Sequence, residues 1–125
     1  MPVPADREYT AEHEWIQIDG DRARVGVTQY AADALGDIVF LDLPGIGSAV
    51  RAGEPCGEIE STKSVSDLFA PADGTVVEVN EALLDEPGAV NADPYAGGWL
   101  FVLDIDSPGP LLSAAEYDSL TGSGA

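Results

Sequence analysis

Three reactive side-chain types occur once each in this 125-residue sequence: Lys63, His13 and Cys56. The remaining basic residues are arginines, at positions 7, 22, 24 and 51, set against 23 carboxylates for a net charge of −18. An arginine does not accept an acyl group as a lysine amine does. The sequence therefore offers a modifying enzyme a single side-chain amine, in the stretch Glu60-Ser61-Thr62-Lys63-Ser64-Val65-Ser66-Asp67.

Two chemistries suit a lone lysine. A Schiff-base nucleophile needs an amine deprotonated by burial or by a neighbouring cation. Lys63 has neither in sequence, and its nearest charges, Glu60 and Asp67, stabilise an ammonium. The chain also lacks the rest of an active-site set, with one histidine and one Gly-flanked cysteine. The second chemistry is attachment. Small polar neighbours at an exposed turn let a ligase enclose the side chain, and an amide to a carboxylic cofactor gives an arm that reaches on the order of 10–15 Å. Turn context alone leaves this reading and an ordinary solvated lysine both open.

The flanking elements set where that turn stands. Trp15–Ile18 reads as a strand, Asp19-Gly20-Asp21 as a hairpin turn, and residues 22–28 as a half-buried strand with Ala23, Val25 and Val27 inward. Thr28 reads as the N-cap of a helix over 29–35 that stops at Gly36. Residues 38–43 read as a strand buried on both faces. Further strands are expected at 56–61, 65–70, 75–80 and 99–105, with turns at 44–48, 52–55 and 71–74. Asn80 is read as capping a helical turn over 81–84, and 89–98 as a loop. A helix over about 111–120 would pack Leu112, Ala115 and Leu120, before a frayed tail at 121–125. A short echo of residues 52–60 in 71–78 puts Lys63 near the midpoint of a half-repeat, at a hairpin tip. Many short strands with Gly/Pro turns indicate a small β-barrel or sandwich.

Length and composition fit one domain, 1–125, with a core over about 8–106. A single cysteine excludes an internal disulfide. A sequence pI near 4.1 argues against nucleic acid and anionic membranes, which need clustered Lys and Arg. No apolar run is long enough to span a bilayer, and the first residues show no signal or transit pattern. The expected setting is bacterial cytoplasm, or a mitochondrial matrix after removal of a presequence.

Beyond composition, the sequence resembles the H protein of the glycine cleavage system. The likeness rests on Glu60-Ser61-x-Lys63-x-Val65-Ser66-Asp67 in combination with His13-Glu14-Trp15, residues 25–31, 35–40, Val79-Asn80-Glu81, Val90-Asn91, Asp93-Pro94-Tyr95 and Gly98-Trp99-Leu100. Two departures are Thr62 in place of a small aliphatic residue and the apolar Phe101-Val102-Leu103, where lysines are common. The resemblance implies a mainly β fold, a flattened β-barrel or sandwich of the lipoyl/biotinyl-carrier (barrel-sandwich hybrid) type with short added helices. It implies lipoate on Lys63, no catalytic residues and no metal. Its partners would be a pyridoxal-phosphate glycine decarboxylase, an aminomethyltransferase, dihydrolipoamide dehydrogenase and lipoyl-attaching enzymes, served by a carrier that is most simply a monomer.

A carrier of a water-labile aminomethyl group benefits from a cleft that excludes water. Glu14 and Asp67 sit at matching motif positions and are the candidates to hold the cargo amine. The alternatives are a lipoyl relay outside glycine cleavage, a biotin carrier and an unmodified interaction module. Biotin is disfavoured because Thr62 and Ser64 replace the methionines that usually flank its lysine. The remaining residues have plain readings: His13 as surface or packing, Trp15 and Trp99 as core or cleft walls, and Cys56 as buried and inert.

Overall fold

The computed structural model describes residues 4–108 and 111–121. The chain runs β1 (Glu8–Tyr9), β2 (Glu14–Asp19), β3 (Arg22–Val27), α1 (Gln29–Leu35), β4 (Ile38–Asp42) and β5 (Ala49–Val50). It continues through β6 (Pro55–Ser61), β7 (Val65–Phe69), β8 (Ala72–Val79), α2 (Ala82–Asp85), α3 (Ala89–Ala92), β9 (Phe101–Pro108) and α4 (Ala114–Thr121). Two antiparallel sheets result, ordered β1-β2-β3-β9-β8-β5 and β4-β6-β7. They face one another as a flattened sandwich. The inner faces contribute Ile16, Val25, Val76 and Leu103 from the larger sheet and Ile38, Leu41, Ile59 and Leu68 from the smaller one.

Local chemistry explains the elements that lead to the lysine. The β2–β3 hairpin closes between Asp19 and Arg22, and Gly20 takes the positive φ of 65° that the reversal requires. Ala23, Val25 and Val27 point inward while Arg22 and Arg24 are exposed. Thr28 Oγ1 accepts from Ala31 N at 3.2 Å, capping α1, and Gly36 ends the helix at φ 83°.

Five expectations are corrected. Strand β4 is not buried on both faces: Val39 and Phe40 are 52% and 54% exposed. It is an edge strand of a sheet with only one face on the core, and a register shift between Ile38 and Phe40 turns consecutive residues outward. The expected turn at 71–74 is instead the start of β8, with a register shift at Asp73/Gly74. Gly74 permits it, since a Cβ there would lie 2.4 Å from the Asp104 carbonyl oxygen. The expected loop at 89–98 contains α3. Asn80 does not cap α2; its Nδ2 donates to the Gly97 and Trp99 carbonyls at 3.1 and 2.8 Å.

The last correction is the C-terminal helix. Ser113 and Glu116 form a capping box, with Glu116 N donating to Ser113 Oγ at 3.2 Å and Ser113 N to Glu116 Oε1 at 2.9 Å. The helix therefore starts after Ser113 rather than at 111. Leu112 forms a β-bridge to Tyr9, Tyr117 and Asp118 are the buried residues, and Ala115 and Leu120 are exposed. Gly109, Pro110 and the tail beyond Thr121 lie outside the described residues.

Candidate functional site

Lys63 stands at the tip of the β6–β7 hairpin. The last cross-strand pair is Glu60 with Val65, so Ser61, Thr62, Lys63 and Ser64 form the reversal. Ser61 organises it. Its backbone N–H donates to the Ser64 carbonyl at 2.8 Å, and its Oγ accepts from Lys63 N and Ser64 N, each at 3.2 Å. One further bond ties the tip to the body: Thr62 N donates to the Asp37 carbonyl at 3.0 Å. Ser61 is 8% exposed, while Thr62, Lys63 and Ser64 are all exposed.

Among the described residues, the Lys63 ammonium has no hydrogen-bond or ion-pair partner; the one ion pair is Arg7 with Asp6, at 3.0 Å. The lysine stem lies over Gly36, where an added Cβ would meet Lys63 Cε at 2.9 Å. Gly36 serves two ends at once, the left-handed helix stop and a flat floor under the lysine. The sequence signals helix termination there but not the second role.

The sheet register places the two candidate carboxylates along one strand. Asp67 is exposed on β7, opposite Glu58. Glu14, from β2, reaches the free edge of β7, where its Oε2 accepts from Phe69 N at 3.1 Å. Its Oε1 accepts from Thr10 Oγ1 at 3.0 Å, and its own N–H donates to Thr10 Oγ1 at 3.2 Å. The two carboxylates thus meet β7 two residues apart. From Val65 to Phe69 the strand runs about 14 Å, and Lys63 stands two residues further out, at the hairpin tip. Glu14 is no surface carboxylate: it is 2% exposed, and burial pushes its carboxyl up to about 8, against the opposing pull of the Thr10 and Phe69 hydrogen bonds.

Away from β7, the other reactive groups are in structural roles. Cys56 packs against the core, and burial raises its thiol to about 12, far from a reactive thiolate. His13 takes φ 69°, and its Nδ1 lies 2.7 Å from the Tyr117 hydroxyl. Trp15 is fully buried and its Nε1 donates to the Pro94 carbonyl at 2.9 Å. Trp99 is half-buried, with the Arg24 guanidinium 5.1 Å from its ring centre. Among the described residues no His/Cys/Asp/Glu group could hold a metal ion.

A lone exposed lysine at a hairpin tip, on a flattened sandwich of two antiparallel sheets, defines a carrier domain of the lipoyl/biotinyl type. Comparison with known proteins narrows the class. The model of the glycine cleavage H-protein family matches residues 7–122. The glycine cleavage system H protein of Beutenbergia cavernae is 60% identical over 121 residues, spanning 97% of this chain and 98% of that one. The Bacillus subtilis protein of the same name is 46% identical over 124 residues, 97% and 98% of the two chains. The crystal structure of a glycine cleavage system H protein from Mycobacterium marinum superposes with a TM-score of 0.92, at 52% identity, covering 96% of this chain and 99% of that one. This chain belongs to the glycine cleavage H-protein family. That family is a carrier component of the glycine cleavage system and not an enzyme. No helix among the described residues is long and apolar enough to cross a membrane.

Proposed function

We propose that Lys63 carries lipoate in amide linkage and that the protein, a single carrier unit in the cytoplasm, serves the enzymes of glycine cleavage in turn. The observation that carries this reading is the free, exposed ammonium of Lys63 on a turn knotted by Ser61, in a chain with no other lysine. The site fits the group. Small hydroxyl side chains flank the amine, nothing among the described residues pairs with it, and the glycine floor leaves the stem unobstructed.

Attached there, lipoate would supply a dithiolane able to take up an aminomethyl group with two electrons from the glycine decarboxylase reaction, for hand-on to an aminomethyltransferase and to dihydrolipoamide dehydrogenase respectively. The chain's own residues present and protect. Ser61 and the Asp37 carbonyl hold the tip, so the amine faces outward for the attaching enzyme. Asp67 and Glu14 offer carboxyl oxygens along β7 to a cationic cargo amine. An ammonium beside Glu14 favours its charged form, so parking such a cargo draws a proton off Glu14. The acidic surface, at −18 overall, steers the carrier toward basic faces of its partners.

The test is exchange. Lipoylated protein mixed with glycine decarboxylase and labelled bicarbonate should support label incorporation into glycine, and the Lys63→Ala variant should support none. Lipoylated protein that fails to support exchange would place the carrier outside glycine cleavage.

A further inference from the structure

Asn91 lies on α3, in a segment that reads from sequence as loop, yet both ends of its side-chain amide are committed. Its Oδ1 accepts from Ile38 N at 2.9 Å. Its Nδ2 donates to the Gly36 carbonyl at 2.8 Å, with a longer contact of 3.4 Å to the Ala32 carbonyl. One side chain thus grips the backbone on both sides of Asp37.

Asp37 is where the lysine turn is anchored, since its carbonyl accepts from Thr62 N. Gly36 is the floor under the Lys63 stem. A 3.0 Å bond and a van der Waals surface therefore connect Lys63 to a two-residue step whose backbone Asn91 holds. Beside Asn91, the step is held by Gly36 N donating to the Ala32 carbonyl at 3.1 Å and by the buried Ile38 side chain. Gly36 ends a seven-residue helix at a positive φ, a conformation with the freedom of glycine behind it, and β4 begins with a register shift.

We infer that Asn91 is a positioning residue for the acyl-accepting amine: it fixes Gly36, Asp37 and Ile38, and through them the place from which Lys63 is presented to a lipoate-attaching enzyme. This rests on the reading of Lys63 as the lipoyl site. Asn91 touches neither the lysine nor the cofactor, so its loss leaves the recognition surface intact and displaces the reacting nitrogen.

The experiment uses the full-length unmodified protein. Asn91→Ala, Asn91→Ser and the packing control Val90→Ala are compared as acceptors of a lipoyl group from lipoyl-adenylate on a lipoate–protein ligase, read by intact mass. Amide hydrogen exchange is followed on the same samples. For both Asn91 variants kcat/KM should fall about tenfold, because misplacing a reacting group by a fraction of an ångström to an ångström costs one to two orders of magnitude. The loss should sit in kcat with KM little changed. Exchange at Thr62 N and Ile38 N should quicken relative to the core amides of β3. Val90→Ala, whose side chain is fully buried, should lower Tm without a comparable loss of kcat/KM.

Asn91 variants acylated at the wild-type rate would overturn the inference, as would rates that track Tm across all three variants. If Asn91→Ala does not fold, Asn91→Ser carries the comparison. Wild-type protein that is not acylated, or Lys63→Ala protein that is, removes the lipoyl reading and this inference with it. Unchanged exchange at Thr62 in a folded Asn91 variant removes the inference alone.

Discussion

The hairpin end and the aromatic end of this sandwich are held by opposite means. At the hairpin, a four-residue reversal is closed by one serine and tied to the body by one backbone bond to Asp37. Its side chains are small and its tip is exposed. At the other, Tyr9 and Tyr117 stack with ring centres 4.9 Å apart. The Tyr117 hydroxyl meets His13 and Thr28 at 2.7 and 2.8 Å, and the Arg7 guanidinium sits 4.5 Å from the Trp15 ring centre. There the rings are dry and their polar atoms have partners. The contrast separates two jobs. The aromatic end contributes stability, and the hairpin end contributes presentation. Glu14 belongs to both, since it is buried like the first and bonded to the strand that leads from the second.

The largest effect that would break this division is at Trp15. Trp15→Ala removes a fully buried ring that presses on Gly26, where a Cβ would lie 2.5 Å from it. Unfolding by denaturant should show a loss of about 3–5 kcal/mol. The folded fraction should still accept a lipoyl group on Lys63 at close to the normal rate. A lost acceptor activity in folded protein would mean that the aromatic end also positions the lysine.

Next is Glu14, whose contribution depends on pH. Its folded-state value of about 8 lies above the ordinary 4.5, so the fold favours the protonated carboxyl. Below 4.5 that stabilisation is complete. As pH rises toward 8 the unfolded chain ionises while the fold resists, and stability is lost, on the order of 5 kcal/mol between the limits. Glu14→Gln has no charge to bury; its one carbonyl oxygen can accept from Phe69 N and its amide N–H can donate to Thr10 Oγ1. Thermal unfolding of the two proteins should coincide near pH 4.5 and diverge in favour of Glu14→Gln by pH 8.5. Parallel curves would show that Glu14 ionises without penalty.

Smallest is Ser61→Ala, which removes the acceptor for Lys63 N and Ser64 N. It should cost about 1 kcal/mol in global stability while amide exchange at Lys63 and Ser64 rises. A loss as large as that at Trp15 would erase the distinction between the two ends.

Much of this was legible in the sequence where a residue has a local job. Thr28 caps α1, Gly36 stops it, Gly20 turns a hairpin, and the lone lysine sits between two strands; each follows from chemistry within a few positions. What was not legible depends on partners far along the chain. Phe40 and Val39 read as buried because their strand is apolar, and only the sheet order shows that β4 has one face open. Gly74 reads as a turn residue, but it is a strand residue pressed on Asp104. Glu14 is a cargo candidate by resemblance, but its burial and bonding show only when Phe69, 55 positions away, is placed against it. Asn91 reads as loop because nothing near it in sequence needs an amide; the groups that do are 53 and 55 positions earlier.

The central claim is that Lys63 is the lipoyl attachment point, and intact mass spectrometry of protein from its native host tests it most directly. The mass should exceed that of the bare chain by one lipoyl group, with fragmentation placing the increment on Lys63, and the Lys63→Ala protein from the same host should carry none. An unshifted mass for the native protein, or an increment that survives Lys63→Ala, would contradict the account.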